Sequence, residues 1–213
     1  MCIVKIEHLK KSFGEQIIFD DFNLKVEKGE FVAIEGKSGS GKSTLLNMIG
    51  LLDHPDAGVI TLFGESNIKP FSRKAEQYLK NRIGYLFQNF ALLEDKSVYY
   101  NMNLAIEHHK IEHKKEKIAE ALEAVGLKGY EEKKIFKCSG GEQQRISIAR
   151  LLIKPCELVL ADEPTGSLDK ENKEIVFDLM KTLQKMGKTV IVVSHDPDLN
   201  QIADRMISLN RNS

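Results

Sequence analysis

Residues Gly36–Thr44 read Gly-Lys-Ser-Gly-Ser-Gly-Lys-Ser-Thr and lie between two apolar runs, Phe31-Val32-Ala33-Ile34 before them and Leu45-Leu46-Asn47-Met48-Ile49 after them. This is the pattern G-x-x-x-x-G-K-[ST] with a strand entering and a helix leaving, the context that gives it chemical meaning. Gly36, Gly39 and Gly41 leave room for backbone N–H groups to turn inward and form an anion-binding nest. A helix opening at Lys42 adds unsatisfied donors and the positive end of its dipole. Lys42 is then placed to reach β- and γ-phosphates and the Ser43 hydroxyl to ligate Mg²⁺, with Lys37, Ser38, Ser40 and Thr44 completing the loop. With glycine near 7% of residues, a chance match in a chain of this length is on the order of 1 in 100. The loop implies a bound nucleoside triphosphate.

The 213 residues suffice for one large α/β domain with a good core. The charge balance, 31 basic against 31 acidic residues, points to neither a nucleic-acid nor an anionic-membrane surface. Cys2, Cys138 and Cys156 are odd in number and form no C-x-x-C pair, so they read as free thiols in a reducing compartment. The start, Met1-Cys2-Ile3-Val4-Lys5-Ile6-Glu7, lacks the basic and apolar regions of a signal peptide. No uncharged apolar run approaches the ~20 residues that span a bilayer. The expectation is a soluble cytoplasmic protein whose membrane role, if it has one, comes through a partner.

Along the chain, Val4, Ile6, Phe19, Phe22, Leu24 and Val26 mark a strand-rich N-terminal part with turns at Gly14-Glu15 and Lys28-Gly29. Strands are expected at Phe31–Glu35, Val59–Phe63 and Ile83–Phe87, with helices at Lys42–Leu52 and about Arg73–Leu79. Tyr99–Val125 reads as one helix, ended by Gly126 and Gly129, and a second runs from about Gly141 to Ile153, stopped at Lys154-Pro155. Strand–helix alternation resumes at Leu158–Ala161, Lys170–Met186, Thr189–Val193, a short helix after Pro197, and Met206–Leu209. Alternation of that kind implies a parallel sheet. The expected fold is therefore α/β: a phosphate-loop NTPase core with a mostly parallel sheet, an N-terminal antiparallel β part and a helical insert at about 96–155, all one domain across 1–213.

A second constellation follows the strand Leu158-Val159-Leu160-Ala161, which ends in Asp162-Glu163. Strand C-termini line the ligand crevice of a parallel sheet. Asp162 is expected to bind Mg²⁺ through water and Glu163 to orient the water that attacks the γ-phosphate. The octet Cys138-Ser139-Gly140-Gly141-Glu142-Gln143-Gln144-Arg145 opens the second helix of the insert, where Ser139, Gly140 and Gly141 expose backbone donors as another anion site.

That octet resembles the signature sequence of the ATP-binding-cassette family, commonly Leu-Ser-Gly-Gly-Gln, and the resemblance extends over nearly the whole chain. It implies that Phe13 stacks on adenine, that Gly36–Thr44 is the Walker A loop, and that Asp162 and Glu163 end Walker B. It further implies that Gln88 in Leu86-Phe87-Gln88-Asn89 is the glutamine loop touching Mg²⁺, that Ser167-Leu168-Asp169 is the D-loop, and that His195 is the switch histidine on the γ-phosphate. Glu163, His195 and Lys42 are then the catalytic set. Cys138 stands where Leu is usual, Glu142 where Gln is usual, and Phe13 where Tyr is usual; none of these removes a catalytic group.

The resemblance implies an ATPase whose two copies clamp two ATP, each between one copy's Walker A loop and the other's Ser139-Gly140-Gly141, and which drives a separate membrane permease. The pieces Ile49–Asp53, Glu163–Asp169 and Ser194-His195-Asp196 look like the compact branch serving lipoprotein release, macrolide efflux and peptide export, and overall likeness is greatest to the short ATPases of bacteriocin export. The apolar residues Phe90, Ala91, Leu92, Leu93 and Val98 read either as core or as the surface that docks a helix of the permease. Asn210–Ser213 follow the last strand directly, leaving no room for a C-terminal regulatory domain. His109 and His113, one helical turn apart, read as a solvated helix face rather than a metal site. A non-transport cassette such as a cell-division regulator would look nearly identical at the ATP site. A small-molecule phosphoryl transferase is disfavoured by the Ser-Gly-Gly octet and by the absence of an arginine-rich lid.

Overall fold

The computed structural model describes residues 1–209. Asn210–Ser213, on which the reading of the C-terminus depends, lie outside the described residues. Strands β1 (Cys2–Phe13) and β2 (Gln16–Glu27) form a hairpin around Gly14-Glu15, and β3 (Phe31–Gly36) leads into the phosphate loop. Helix α1 (Lys42–Ile49) leaves that loop and stops at Gly50, a little short of the expected end. Next come β4 (Ala57–Leu62), β5 (Glu65–Ser66), α2 (Arg73–Asn81) and β6 (Ile83–Leu86). Helices α3 (Val98–Leu104), α4 (Lys114–Ala124) and α5 (Gly140–Ile153) follow, with a short 3₁₀ turn at Ile135–Lys137. The chain then runs through β7 (Leu158–Asp162), α6 (Lys170–Lys185), β8 (Thr189–Val193), a 3₁₀ turn at Pro197–Gln201 and β9 (Arg205–Leu209).

One sheet has the order β2-β1-β4-β5 and is antiparallel; the other, β6-β7-β8-β3-β9, is parallel throughout. The central strands β3, β7 and β8 are buried on both faces, which is why they read as unbroken apolar runs, whereas the edge strand β9 is only partly covered. Alternate residues serve two different cores. Phe31, Ala33, Val159, Ala161, Val190 and Val192 pack with helices α3–α6. Val32, Ile34, Leu158, Leu160, Ile191 and Val193 pack with α1 and the antiparallel sheet. Each of the Phe, Val, Leu and Ile side chains among them contributes about 1.5–3 kcal/mol by leaving water. The sheet is thus a rigid partition, and its C-terminal edge is a fixed platform.

The expected single helix over Tyr99–Val125 is two helices. The chain turns between Ala105 and His113, and His113 enters α4 in the left-handed conformation (φ 54°). Ile106 and Ile118 are both fully buried in the same core, so the chain doubles back to bring them there. A straight helix would carry them apart along its axis at 1.5 Å per residue. His109 and His113 therefore share no helix: His109 lies in the turn, and His113 pairs with Glu116 at 2.9 Å. Among the described residues no helix is long and apolar enough to cross a membrane.

Candidate functional site

Four parallel strands deliver their C-termini to one edge. Asp162 and Ile34 both sit beside Val193, and Leu86 sits beside Ala161. The segments that follow these strands, namely the phosphate loop, Glu163, Ser194-His195 and Gln88, are neighbours as a consequence. Most of the phosphate loop, with Glu163, His195 and Gln88, borders a cleft of about 760 Å³ that extends to Phe13 and includes Lys37, Ser38, Ser43 and Thr44.

The phosphate loop has the backbone its glycines allow. Gly41 stands at φ 94° and serves as the N-cap of α1 with no side-chain cap, so the first helical N–H groups face the cleft uncapped. A Cβ on Gly41 would come within 2.9 Å of the Phe19 ring. Lys42 is nearly buried and donates to the carbonyls of Gly36 (2.7 Å) and Lys37 (3.3 Å). Ser40 is placed differently from its neighbours. Its N–H bonds Lys37 O, its hydroxyl is buried without a hydrogen-bond partner among the described residues, and the residue lines an adjoining cavity beside Leu209 rather than the main cleft.

The two carboxylates at the end of β7 have separate environments. Asp162 accepts a hydrogen bond from Ser43 Oγ at 3.1 Å. Burial, reinforced by the charge of Glu163, pushes the Asp162 carboxyl above its ordinary range, against the opposing pull of Ser43 and Lys42. Glu163 sits at φ 44°, a left-handed conformation that costs a non-glycine residue roughly 1–2 kcal/mol. It is anchored there by its N–H to Val193 O at 2.9 Å. Its Oε2 accepts from Ser194 Oγ (2.8 Å), His195 Nδ1 (3.0 Å) and, more weakly, His195 N (3.4 Å). Its Oε1 receives no hydrogen bond among the described residues and lies 3.9 Å from Lys42 Nζ. Phe13 is half-exposed at the far end of the cleft, with Lys11 Nζ 5.1 Å from its ring centre.

Residues 19–166 match the family model described as ABC transporter. The chain belongs to the ABC transporter family. It is 40% identical over 211 residues to the uncharacterized ABC transporter ATP-binding protein YvrO of Bacillus subtilis (strain 168), covering 96% of this chain and 92% of that protein. It is 38% identical over 215 residues to the macrolide export ATP-binding/permease protein MacB of Mannheimia succiniciproducens, where the match covers 98% of this chain but 33% of the relative. The dimeric post-hydrolysis structure of the ATP-binding cassette MJ0796, bound to ADP and Pi, superimposes with a TM-score of 0.88 at 34% identity, covering 98% and 95% of the two chains. This chain is an ATP-binding ATPase of that family.

Two of the sequence-predicted parts of this ABC ATPase do not border the cleft. Ser139 caps α5: its hydroxyl accepts from Glu142 N, and Glu142 Oε2 accepts from Ser139 N at 2.7 Å. Gly140 and Gly141 follow it in the first turn of α5, away from the chain's own phosphate loop. Asp169 caps α6 and is bonded by Asn172. The Glu142 carboxyl would be raised by burial, but Tyr130, Ser139 and Lys133 outweigh that and leave it below its ordinary value. Cys138 is buried in the helical core, as a small apolar residue would be.

Other contributors went unassigned in the sequence reading. Gln16, Ile18 and Gly166 also border the cleft, and Ser194 orients Glu163. Gln144 of α5 donates to Pro164 O at 2.6 Å, and Arg145 reaches Asn172, which holds Asp169. Ser194 had one available signal, its place beside His195 at the end of an apolar strand.

Proposed function

We propose that this chain is the ATP-hydrolysing subunit of an exporter, acting as a pair of copies on a separate membrane permease. The observation that carries the reading is Glu163. Its strained backbone and three donors to Oε2 fix the carboxylate, while Oε1 stays free to accept from a water in the cleft. In this reading Glu163 orients that water toward the γ-phosphorus, and ATP and water become ADP, phosphate and a proton. Lys42 exchanges its loop carbonyls for β- and γ-phosphate oxygens, while the N–H groups of Gly36–Thr44 receive the remaining phosphate charge. His195 holds Glu163 through Nδ1–H and, with both ring nitrogens protonated, donates Nε2–H to the γ-phosphate. Phe13 stacks on adenine.

Mg²⁺ fits the donor set. The Ser43 hydroxyl and the Asp162 carboxylate, 3.1 Å apart, are hard oxygen donors, and the Gln88 amide oxygen is a third. Mg²⁺ would need only one or two such protein oxygens, which Ser43 and Asp162 would supply. When bound, the ion neutralises charge on the phosphates. The raised Asp162 carboxyl is the kind of buried acid that a cation holds ionised.

The dimer accounts for Ser139, Gly140, Gly141 and Asp169, which stand outside their own chain's cleft and would meet the partner copy's ATP. The dimeric MJ0796 cassette supports that arrangement. The export direction is supported by the MacB relatives, whose names join ATP-binding and permease parts. The docking surface for the permease is a groove of about 390 Å³ floored by Leu79, Ile83, Tyr85, Phe87 and Leu104 and including Ala91. Of the other apolar residues after Gln88, Val98 is core and Leu93 is 46% exposed. The whole of 1–213 acts as one nucleotide-binding domain with a helical insert at about 96–155, held at the inner face of the cell membrane through the permease and contacting no nucleic acid.

Glu163→Gln tests the reading. The variant should bind ATP, fail to hydrolyse it, and run as a dimer by size exclusion with ATP and as a monomer without. Hydrolysis at the wild-type rate would remove Glu163 from its assigned role.

A further inference from the structure

The segment Phe87–Ala91 runs between two cavities. Gln88 faces the ATP cleft, while Phe87 and Ala91 face the apolar groove on the other side. The Phe87 end is pinned by its ring, stacked on Tyr85 with centroids 4.1 Å apart. The other end is strained: Phe90 (φ 62°) and Ala91 (φ 47°) are consecutive left-handed residues, and neither is glycine. Left-handed backbone costs roughly 1–2 kcal/mol for each such residue, so this turn persists only where something outside it holds it.

What holds it is α5. Arg150 donates from Nη1 to Ala91 O at 2.7 Å and from Nη2 to Phe90 O at 2.8 Å, and Ser147 Oγ donates to Phe90 O at 2.9 Å. Ser147 and Arg150 are three residues apart on one face of the helix. No carboxylate lies within ion-pair distance of Arg150 among the described residues, so the guanidinium's hydrogen bonds are spent on these carbonyls. Burial brings its pKa down to about 10, which leaves it fully charged at neutral pH. A guanidinium presents two parallel donors in a rigid fork and spans adjacent carbonyls, where an ammonium offers a single point.

We infer that Arg150 is a positioning residue for ATP hydrolysis: its forked hold on the Phe90 and Ala91 carbonyls sets the left-handed turn that delivers Gln88 to the cleft. The inference rests on the reading that Gln88 acts in the cleft. Arg150 does not border the cleft and acts there only through the loop it holds. Because it rides on the helix that begins at Ser139, the same bonds make the Gln88 loop and that helix move together.

The test is a double-mutant cycle on the full chain, reading steady-state ATPase, ATP affinity and thermal stability for Arg150→Met, Gln88→Ala and the pair. Arg150→Met should lower kcat roughly ten- to hundredfold, as loss of positioning does, with ATP affinity unchanged. In the Gln88→Ala background it should cost no further activity beyond about twofold, because there is no longer a side chain to position. Arg150→Lys should recover only part of the loss. Wild-type kcat in Arg150→Met, or losses that multiply in the double variant, would overturn the inference. Wild-type kcat in Gln88→Ala would instead overturn the reading of Gln88. Should Arg150→Met not fold, Ser147→Ala carries the same cycle: a smaller fall in kcat that vanishes beside Gln88→Ala supports the inference, and one that persists refutes it.

Discussion

Ser194→Ala isolates how much of the chemistry depends on holding Glu163. Ser194 is 1% exposed and its hydroxyl donates to Glu163 Oε2 at 2.8 Å. The substitution removes one oxygen, which also accepts a weaker bond from Asp196 N at 3.2 Å, and leaves the backbone bond from Ser194 N to Ile34 O in place. A hydrogen bond to a charged group is worth about 1.5–3 kcal/mol. His195 Nδ1 remains at 3.0 Å, so Oε2 keeps one good donor and the lower end of that range applies. If the lost energy falls wholly on orienting the carboxylate in the transition state, about 1.4 kcal/mol corresponds to a tenfold fall in kcat. Ser194 does not border the cleft, so ATP affinity should be unchanged. Phosphate release under saturating ATP, nucleotide titration and a thermal melt separate the effects. Unchanged kcat, or a loss that appears in ATP affinity instead, would refute the claim that Ser194 works through Glu163.

Lys42→Ala should abolish ATP binding in titration, since it removes the one side-chain cation seated at the Gly36 and Lys37 carbonyls of the loop. Tyr130→Phe removes a 2.7 Å donor to Glu142 and should destabilise the chain by about 1.5 kcal/mol at neutral pH in urea unfolding. Glu142 is held below its ordinary 4.5 in the folded chain, so its contribution is complete above that value and lost as pH falls through the lower folded pKa. The gap between Tyr130→Phe and wild type should therefore close on acidification. A gap that stays constant would mean the tyrosine acts through packing.

Much of this architecture is written locally. Phe31–Ile34, Leu158–Ala161 and Thr189–Val193 are apolar runs because both faces of those strands are covered, and the glycines of Gly36–Thr44 mark the loop that follows the first of them. Lys42, Ser43, Asp162 and Glu163 follow strand ends, so their convergence is implied once the sheet is parallel. The break between α3 and α4 is not marked in the same way. Asn101–Ala124 contains neither glycine nor proline, and the reversal is set by Ile106 and Ile118 sharing one core. The supports of the site are also non-local. Ser194 meets Glu163 across 31 positions and Arg150 meets Phe90 across 60, so no window of sequence contains either contact.

The central claim is that each ATP is closed between two copies, with Ser139 of one facing the phosphate loop of the other. Ser139→Arg placed in the Glu163→Gln chain tests it most directly. Ser139 stands outside its own chain's cleft, so the double variant should bind ATP as tightly as the Glu163→Gln monomer does, without the added affinity that dimerisation gives. A bulky cation at the start of α5 should nevertheless block closure, and the chain should elute as a monomer with ATP present. A double variant that still dimerises with ATP, or a monomer that has lost its ATP affinity, would contradict the shared site.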